Sequence, residues 1–402
     1  MSLESFESVE VAEQLPPFMP GLEVSRAFYE EAVRPIVERR FPGLRWGAAR
    51  IEAGSDVYGF DTPRSMDHGW GPALTVFVAQ EEWREGLGAE VRRALGEELP
   101  SEVRGFPTFM GAPDDESQVL WRHGNMVMTT ERPIKPSVGV APERRVFLGW
   151  LGVDPTREEP LRLDEWLVIP SHHLREFTSG AVYRDDTGQI AQAREAVRWY
   201  PHDIWLYLLA AQWLRIDQES AFMGRCGEVG DELGSRMVAA RLVRDVMRLC
   251  YLMERQHQPY TKWFGSGFAQ LACAKRITPL LIEALSAETW RERDRTLGAA
   301  YEVVAELHNG LEITEWLEPK ASSFHTRPFT VLPEGRHWKA LRERVKDPAV
   351  KRLMRDQHYV IGNTSQWVDS TDTLGREWYG AQRALYRAVL HEDEDVKAPS
   401  SS

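Results

Sequence analysis

The chain has 402 residues, 43% of them hydrophobic and 27% charged, and this composition predicts a soluble globular protein with two or three hydrophobic cores. Its net charge of −12 argues against a nucleic-acid partner, and its three cysteines are too few for a disulfide framework. The acidic N-terminus has no signal-like apolar run, and no window of about eighteen apolar residues occurs, so we expect a cytoplasmic protein with no membrane partner.

The first 190 residues predict a mixed α/β domain. Apolar residues recur at helical spacing between Leu22 and Val37, whereas shorter apolar runs bounded by glycine and proline predict strands. The predicted elements are a helix over 21–40, strands over 45–51 and 73–78, a helix over 81–95, and a strand leading into a tight turn over 180–188. Six prolines interrupt residues 99–145, so this segment predicts an inserted flap or two short strands.

Residues 191–390 predict a helical domain. The predicted helices cover 191–218, 229–256, 262–285, 288–308, 335–346 and 373–391. They show no fixed repeat, which argues against a solenoid. Arg241, Arg244 and Arg248 fall at offsets of three and seven and therefore share one helix face. Residues 391–402 are acidic and then serine-rich, which predicts a disordered tail.

The loop over residues 53–72 is the stretch best suited to chemistry. Gly54 would let the backbone approach a ligand closely, and Ser55 can donate its hydroxyl to a phosphate oxygen. Asp67, expected near the start of the following strand, can hold a divalent metal. The alternatives are an ordinary Gly-Ser turn and a loop carboxylate that caps the turn before Leu74.

Gly54-Ser55, a spacer of eleven residues and then Asp67 resemble the signature of the polymerase-beta-like nucleotidyltransferase superfamily. A wider set of segments resembles an actinobacterial family known as domain of unknown function 4037: residues 54–61, 65–72, 199–201, 225–231, 259–263 and 327–329. This resemblance covers most of the chain. It implies an α+β protein with a nucleotidyltransferase-like mixed sheet and helices, followed by an all-α helical domain. It also implies Mg²⁺ as cofactor and a nucleoside triphosphate (NTP) as substrate.

The carboxylate motif of this superfamily is degraded here. Its pattern requires a second carboxylate two residues after Asp67, because alternate residues of a strand face the same metal pair, but that position is Gly69. The neighbouring strand predicted at 125–130 offers no third carboxylate. Asp61, Asp56 or Glu52 could serve as the additional metal ligands if the loop folds back, and Asp61 and Ser65 are possible supporting residues of the site.

A second cluster, Arg225, Glu228 and Asp231, precedes a long predicted helix. Arg225 can reach a phosphate, while Glu228 or Asp231 pairs with it or with the helix N-terminus. The alternative is a salt bridge together with a helix cap by Asp231.

A third group, Tyr260 and Lys262, follows that helix. Tyr260 can stack on a ligand or form a hydrogen bond with it. In related small-molecule nucleotidyltransferases a helical domain closes over the nucleotide, so the resemblance implies that Lys262 contacts a triphosphate. The alternative is a surface lysine beside a buried Trp263.

The leading functional hypothesis is transfer of a nucleoside monophosphate from an NTP to a small-molecule acceptor, with the ligand between the two domains. Asp67 is the candidate catalytic and metal-binding residue. Gly54 and Ser55 are the candidates for phosphate binding, and Arg225 and Lys262 for charge neutralisation. The alternative is a catalytically degenerate protein that binds a ligand or a partner, or one whose pocket serves another reaction of secondary metabolism.

Overall fold

The computed structural model describes residues 15–391. These residues form two compact units, 15–160 with 173–198 and 161–172 with 199–391. Whether residue 190 separates two independently folding domains, as the sequence suggests, stays a prediction. Of the predicted disordered tail at 391–402, all but its first residue lies outside the described residues.

The helices are joined in places by single turns of 3₁₀-helix, and a π-helical segment, Tyr29–Val33, connects the first two. The helices are α1 Gly21–Phe28, α2 Arg34–Arg40, α3 Ser55–Tyr58, α4 Leu87–Glu98, α5 Glu143–Leu151, α6 Leu163–Val168, α7 Ser171–Thr178, α8 Gln189–Ala196, α9 His202–Glu228, α10 Glu232–Met253, α11 Phe264–Phe268, α12 Ala274–Ser286, α13 Trp290–Asn309, α14 Arg336–Arg344, α15 Pro348–Leu353, α16 Thr364–Trp367 and α17 Tyr379–His391. Among these described helices, none combines the length and the apolar composition that crossing a lipid bilayer requires.

The strands are β1 Trp46–Arg50, β2 Ala73–Val78, β3 Glu102–Val103, β4 Phe106–Pro107, β5 Phe109–Met110, β6 Val119–His123, β7 Met126–Thr129, β8 Ser137–Pro142, β9 Ala181–Asp185, β10 Ser322–Phe324 and β11 Arg327–Val331. The first unit is built around a four-stranded sheet in the order β8-β2-β1-β9. β1 pairs antiparallel with β2 and β9, and β2 pairs parallel with β8. The predicted strands at 45–51, 73–78 and 180–188 are confirmed, and the loop between β1 and β2 connects the two central strands.

The predicted helix over residues 21–40 is confirmed as α1, the π-helical segment and α2. Its apolar face is fully buried at Phe28, Val33 and Val37. These side chains share one core with Val76 and Val78 of the central strand β2. Burial of this face drives the helix onto the sheet, as its spacing predicts.

The proline-rich segment forms more strands than predicted. β3 pairs with β4, and β7 pairs with both β5 and β6 in a separate small sheet. The expectation that residues 125–130 neighbour the central strand is therefore wrong. The strand beside β2 is β8, whose residues Ser137–Pro142 contain no carboxylate.

The second unit is organised around α9. This helix is apolar over most of its circumference and is buried along most of its length, which is typical of a central helix. It contacts α10, α13, α14 and α15. The predicted fold class, a mixed sheet with helices followed by a helical region, is confirmed. The helical region also contains an unpredicted hairpin, β10–β11, in which Thr330 donates to the buried Asp294.

Two of the predicted helices are interrupted. The one over 191–218 is divided into α8 and α9 because Pro201 caps α9, and the residue before a proline avoids helical backbone. The one over 262–285 is divided into α11 and α12. The Glu254 carboxylate accepts hydrogen bonds from the backbone N–H of Ala272 at 2.8 Å and of Cys273 at 2.7 Å, which holds the turn before α12.

Glycines near the end of α9 permit close packing. A Cβ atom at Gly227 would lie 2.2 Å from Cγ of Trp290, and one at Gly224 would lie 2.6 Å from Cδ1 of Phe329. We therefore expect Gly227→Ala to lower the free energy of unfolding by about 1–2 kcal/mol, since overpacking outweighs the gain in helix propensity. Urea denaturation measures this change.

Gly380 provides the matched control for this substitution. It lies in α17, and apart from the backbone of its own helix no atom of residues 15–391 lies within 4 Å of the position of its Cβ. Gly380→Ala should therefore leave stability unchanged or raise it slightly. A Gly227→Ala protein as stable as the wild type would contradict the packing argument.

A buried carboxyl group anchors the loop after β1. Glu176 of α7 is 3% exposed and accepts a hydrogen bond of 2.5 Å from the Tyr58 hydroxyl of α3. Burial raises the pKa of Glu176 from 4.5 to about 7, although the bond from Tyr58 opposes the shift. The folded protein therefore holds this proton at pH values where the unfolded chain has released it.

This pKa shift makes stability depend on pH. Between pH 4.5 and about 7 the folded state binds more protons at Glu176 than the unfolded state, so the contribution of this group falls as pH rises, by about 3 kcal/mol at most. Glu176→Gln retains an acceptor for Tyr58 but cannot ionise. We expect its stability relative to wild type to improve as pH rises from 4.5 to 7 and then to level off. Chemical denaturation across this range tests it, and a constant difference would refute the assignment.

Candidate functional site

The predicted phosphate loop between β1 and β2 contains the short helix α3. Ser55 begins this helix, and Gly54 precedes it in extended backbone conformation. A Cβ atom at residue 54 would lie 2.2 Å from Oδ1 of Asp56 and 2.8 Å from Nη2 of Arg50. Packing inside the protein therefore already accounts for glycine at this position.

Arg50 and Asp56 form a nearly buried ion pair at this turn. Nε of Arg50 lies 2.6 Å from Oδ2 of Asp56 and Nη2 lies 3.0 Å from Oδ1, which is a bidentate geometry. Nη2 also donates to the carbonyl oxygen of Gly69 at 3.3 Å. The arginine thus ties the start of the loop to its far end, with Asp56 as its counter-ion.

Two further polar residues of the loop have partners within the fold. Oδ2 of Asp61 accepts from the backbone N–H of Gly21 at 2.7 Å and from Nε1 of Trp70 at 2.9 Å. Oγ of Ser65 accepts from the backbone N–H of Thr62 at 3.0 Å. These bonds fasten the loop to the start of α1 and to itself.

Asp67 lies in the loop, six residues before the first residue of β2. Its carboxylate accepts from the backbone N–H of His68 at 2.7 Å and lies 3.0 Å from Nδ1 of the same residue. Burial acts to raise the pKa of Asp67, but the hydrogen bonds of His68 outweigh it and lower the pKa overall. The side chain is 53% exposed, so Asp67 is an ionised surface carboxylate at neutral pH.

The surroundings of Asp67 do not fit a two-magnesium centre. Such a centre needs several carboxylates that share two ions. Among residues 15–391, no group of three or more His, Cys, Asp or Glu is placed to hold a metal ion. We therefore derive no chemical step through magnesium from this loop.

The cluster around residue 225 forms contacts typical of helix ends. Nη1 of Arg225 lies 2.6 Å from Oε2 of Glu228 in an exposed salt bridge within the last turn of α9. Asp231 caps α10 by accepting from the backbone N–H of Gly234 at 2.8 Å. A phosphate contact by Arg225 stays a prediction.

The second unit contains a cavity of about 170 Å³, which we call the arginine cavity. The C-terminal half of α10, the segment following it and the loop after α16 form most of its wall. The lining residues relevant to binding are Arg244, Arg248, Tyr260, Thr261, Ser365 and Asp369. Arg244 and Arg248 belong to the arginine face noted in the sequence.

Arg244 is paired with the one carboxylate of this lining. Its Nη1 and Nη2 lie 2.8 Å and 3.2 Å from the two carboxylate oxygens of Asp369. The hydrogen bonds from Arg244 lower the pKa of Asp369, so this carboxylate is ionised at neutral pH. Both side chains are also partly exposed, which leaves the pair open to exchange with another anion.

Arg248 is buried and incompletely paired. Its side chain is 9% exposed, and Nη1 lies 3.4 Å from Oδ1 of the buried Asp245, an oxygen that is also 3.4 Å from Nε of Arg215. Nε of Arg248 has no hydrogen-bond partner among the described residues. Burial and the nearby Arg244 lower the pKa of Arg248 to about 10, so it remains charged at neutral pH. The buried cluster therefore carries excess positive charge.

An aromatic wall faces the same cavity. The rings of Tyr260 and His172 meet edge to face, with centroids 6.5 Å apart. Burial lowers the pKa of His172 to about 4, so its imidazole is neutral at pH 7. Lys262 is exposed, with Nζ 5.2 Å from the ring centroid of Trp263, and follows the lining residue Thr261. The structure thus places Tyr260 with the arginines and Lys262 beside the lining.

The sequence did not identify Arg248, Ser365 and Asp369 as site residues. The spacing of the arginines on α10 was visible, but it does not indicate that Arg248 is buried, and arginine is rarely buried unless it is paired. Ser365 and Asp369 lie far along the chain, and no local pattern marks them. Only the tertiary fold brings these residues to α10.

No curated protein matched this chain. Among solved structures it is similar to a nucleotidyltransferase-like protein from Exiguobacterium sibiricum 255-15, with 12% identity, coverage of 74% of this chain and 83% of that chain, and a TM-score of 0.29. The family model described as "Domain of unknown function (DUF4037)" matches residues 166–264, which include most of the arginine cavity but not the Gly54 loop. The predicted DUF4037 family is thereby confirmed for residues 166–264.

Proposed function

We propose that this nucleotidyltransferase-like protein binds a nucleotide and that the arginine cavity holds the phosphate. The observation that carries the proposal is Arg248, a buried guanidinium whose Nη1 lies 3.4 Å from Oδ1 of Asp245, a carboxylate oxygen that it shares with Arg215. A buried charge without full compensation is costly, and a phosphate supplies several acceptors for one guanidinium. An anion in the cavity would complete this incomplete pairing.

Local charge supports a phosphate over a neutral ligand. Among the described residues, the ion pairs of Arg215, Arg244 and Arg248 involve two carboxylates, Asp245 and Asp369, in a chain whose net charge is −12. A low-dielectric cavity with an excess of positive charge attracts small anions strongly, even when the rest of the protein surface repels them. A nucleotide phosphate fits this potential.

The cavity encloses only part of a nucleotide. Its volume of about 170 Å³ lies below the roughly 300–1,000 Å³ of pockets that bury a whole drug-sized ligand. Phosphate and sugar can occupy this space, and Tyr260 offers a ring on which a base can stack. Exposed Lys262, beside the lining, can add charge to a longer phosphate chain.

Ligand binding without transfer is the role that the first unit favours. Nucleotidyl transfer requires an acceptor oxygen to attack the α-phosphorus while the bond to the leaving pyrophosphate breaks. The described carboxylates do not form a cluster that would neutralise this charge with two metal ions. Transfer with Asp67 as a magnesium ligand is the second candidate, and the exposed, ionised state of Asp67 favours it.

Calorimetric titration with ATP, GTP, CTP and UTP tests the binding proposal. We expect at least one nucleotide to bind, and Arg248→Met and Arg244→Met each to weaken binding about tenfold or more, because charge-assisted hydrogen bonds are lost. Binding should also weaken as salt increases.

Arg236→Met is the matched control. Arg236 lies on α10 but outside the cavity lining, and its replacement changes the net charge by the same amount as the replacement of Arg244 or Arg248. It should leave affinity within about twofold of wild type. Melting curves identify variants that fail to fold. Wild-type protein that binds none of the four nucleotides, or two cavity variants that bind normally, would overturn the proposal.

The role of Asp67 is tested by the same titration with and without magnesium. If the protein binds its ligand without transfer, magnesium and Asp67→Asn should each change affinity by less than about twofold, because an exposed carboxylate outside the site contributes little. Magnesium-dependent binding that Asp67→Asn abolishes, together with release of pyrophosphate, would instead establish the transferase.

A further inference from the structure

A small recess adjoins the arginine cavity, and we propose that it binds a hydroxyl group of the ligand, which makes the site selective for ribonucleotides. The inference rests on the nucleotide binding proposed above. The recess has a volume of about 10 Å³, the space that one water molecule or one hydroxyl group occupies. It shares Arg248, Gln258 and Ser365 with the cavity, so a ligand in the cavity can extend one small group into it.

The polar wall of the recess is almost fully hydrogen-bonded within the protein. Nε2 of Gln212 donates to the carbonyl oxygen of Asp245, and Nε2 of Gln366 donates to Oε1 of Gln212, both at 3.0 Å. Nδ2 of Asn363 donates to the hydroxyl of Tyr200 at 3.0 Å. These bonds fix the orientation of three side-chain amides.

Two serines complete this side of the wall. Oγ of Ser365 accepts from the backbone N–H of Ser171 at 2.8 Å, and Oγ of Ser171 accepts from the backbone N–H of Gln258 at 3.2 Å. The serines therefore join three chain segments around the recess. The wall is rigid and cannot rearrange freely to satisfy a missing partner.

Within this wall, which belongs wholly to the described chain, two buried side-chain atoms form no hydrogen bond, Nε of Arg248 and Oδ1 of Asn363, although the Asn363 side chain faces the backbone N–H of Gln366 in the capping box of α16. The first is a donor and the second an acceptor. Asn363 is 3% exposed and Arg248 8%, so bulk water does not compensate either atom. Buried polar atoms are normally paired, so both atoms can still bind a group that the protein chain does not supply.

A hydroxyl group is the complement of this pair. It can accept from Nε of Arg248 and donate to Oδ1 of Asn363, whereas a phosphate oxygen can only accept and a methylene can do neither. Arg248 also lines the phosphate-binding cavity, so the hydroxyl and the phosphate belong to the same part of the ligand. In a nucleotide that part is the ribose.

The test compares ATP, 2′-deoxy-ATP and 3′-deoxy-ATP on wild-type protein by calorimetry, and repeats the series on GTP, CTP and UTP. We expect one of the two deoxy analogues to bind about tenfold more weakly or worse than its ribonucleotide, because a buried donor and acceptor lose their partner. If the ribonucleotide and its two deoxy analogues bind with affinities within about twofold of one another, the hydroxyl site is overturned and the recess holds only water.

Arg248→Lys provides a second readout. Lysine retains a positive charge but has no atom equivalent to Nε. In this variant the ribonucleotide should therefore bind less than about threefold more tightly than its deoxy analogue. An undiminished preference for the ribonucleotide in a folded variant would overturn the role of Nε, and a variant that does not fold leaves the wild-type series decisive. Failure of all nucleotides to bind removes the proposed function and this inference together, whereas binding without discrimination removes only the inference.

Discussion

In the second unit, two guanidinium groups share one buried carboxylate, and the resulting excess of positive charge is the feature on which the proposed binding site depends. Asp245 is 1% exposed and lies 3.4 Å from both Arg215 of α9 and Arg248 of α10, with Gln212 donating to it as well. Removal of charges from water is tolerated only when partners compensate for the lost hydration. Asp245 compensates one arginine at most. The packing of α9 against α10 therefore holds Arg248 in place while leaving its charge incompletely balanced, which is the basis of the proposal that an external anion binds there.

Local sequence patterns predicted the elements whose burial is encoded locally. The helix over 21–40 and the central strands follow from the spacing of their apolar residues, and α10 follows from a long apolar stripe. The position of β8 beside β2 depends on a parallel pairing across more than fifty residues, and nothing in either strand specifies that partner. The break before α9 was visible at Pro201, but the helical pattern on both sides concealed it.

The candidate site was predicted less completely than the fold, because the residue types that bind ligands also form structural contacts within the protein. In the Gly54 loop the structure shows packing against an ion pair, a helix-start contact for Asp61 and a local pair for Asp67. None of these roles has a distinct sequence signature. Tyr260 was identified from the sequence and does line the cavity, whereas Asp369 belongs to a distant segment. Excess charge in a cavity cannot be read from the sequence, because it depends on which oppositely charged side chains the tertiary fold brings close together.

The acidity of the chain and the basicity of its cavity are consistent with one another. A long nucleic acid would have to approach a surface that carries twelve excess negative charges, and its affinity depends on contacts with many phosphates at once. A single nucleotide carries only a few charges and can enter the arginine cavity, where the local potential is positive. In the proposed site, the small recess beside the arginine cavity is lined by fixed amides and would discriminate between ligands by hydrogen bonding rather than by charge alone. The proposed site would therefore favour a small, hydroxyl-bearing phosphate over both polymeric and purely inorganic anions.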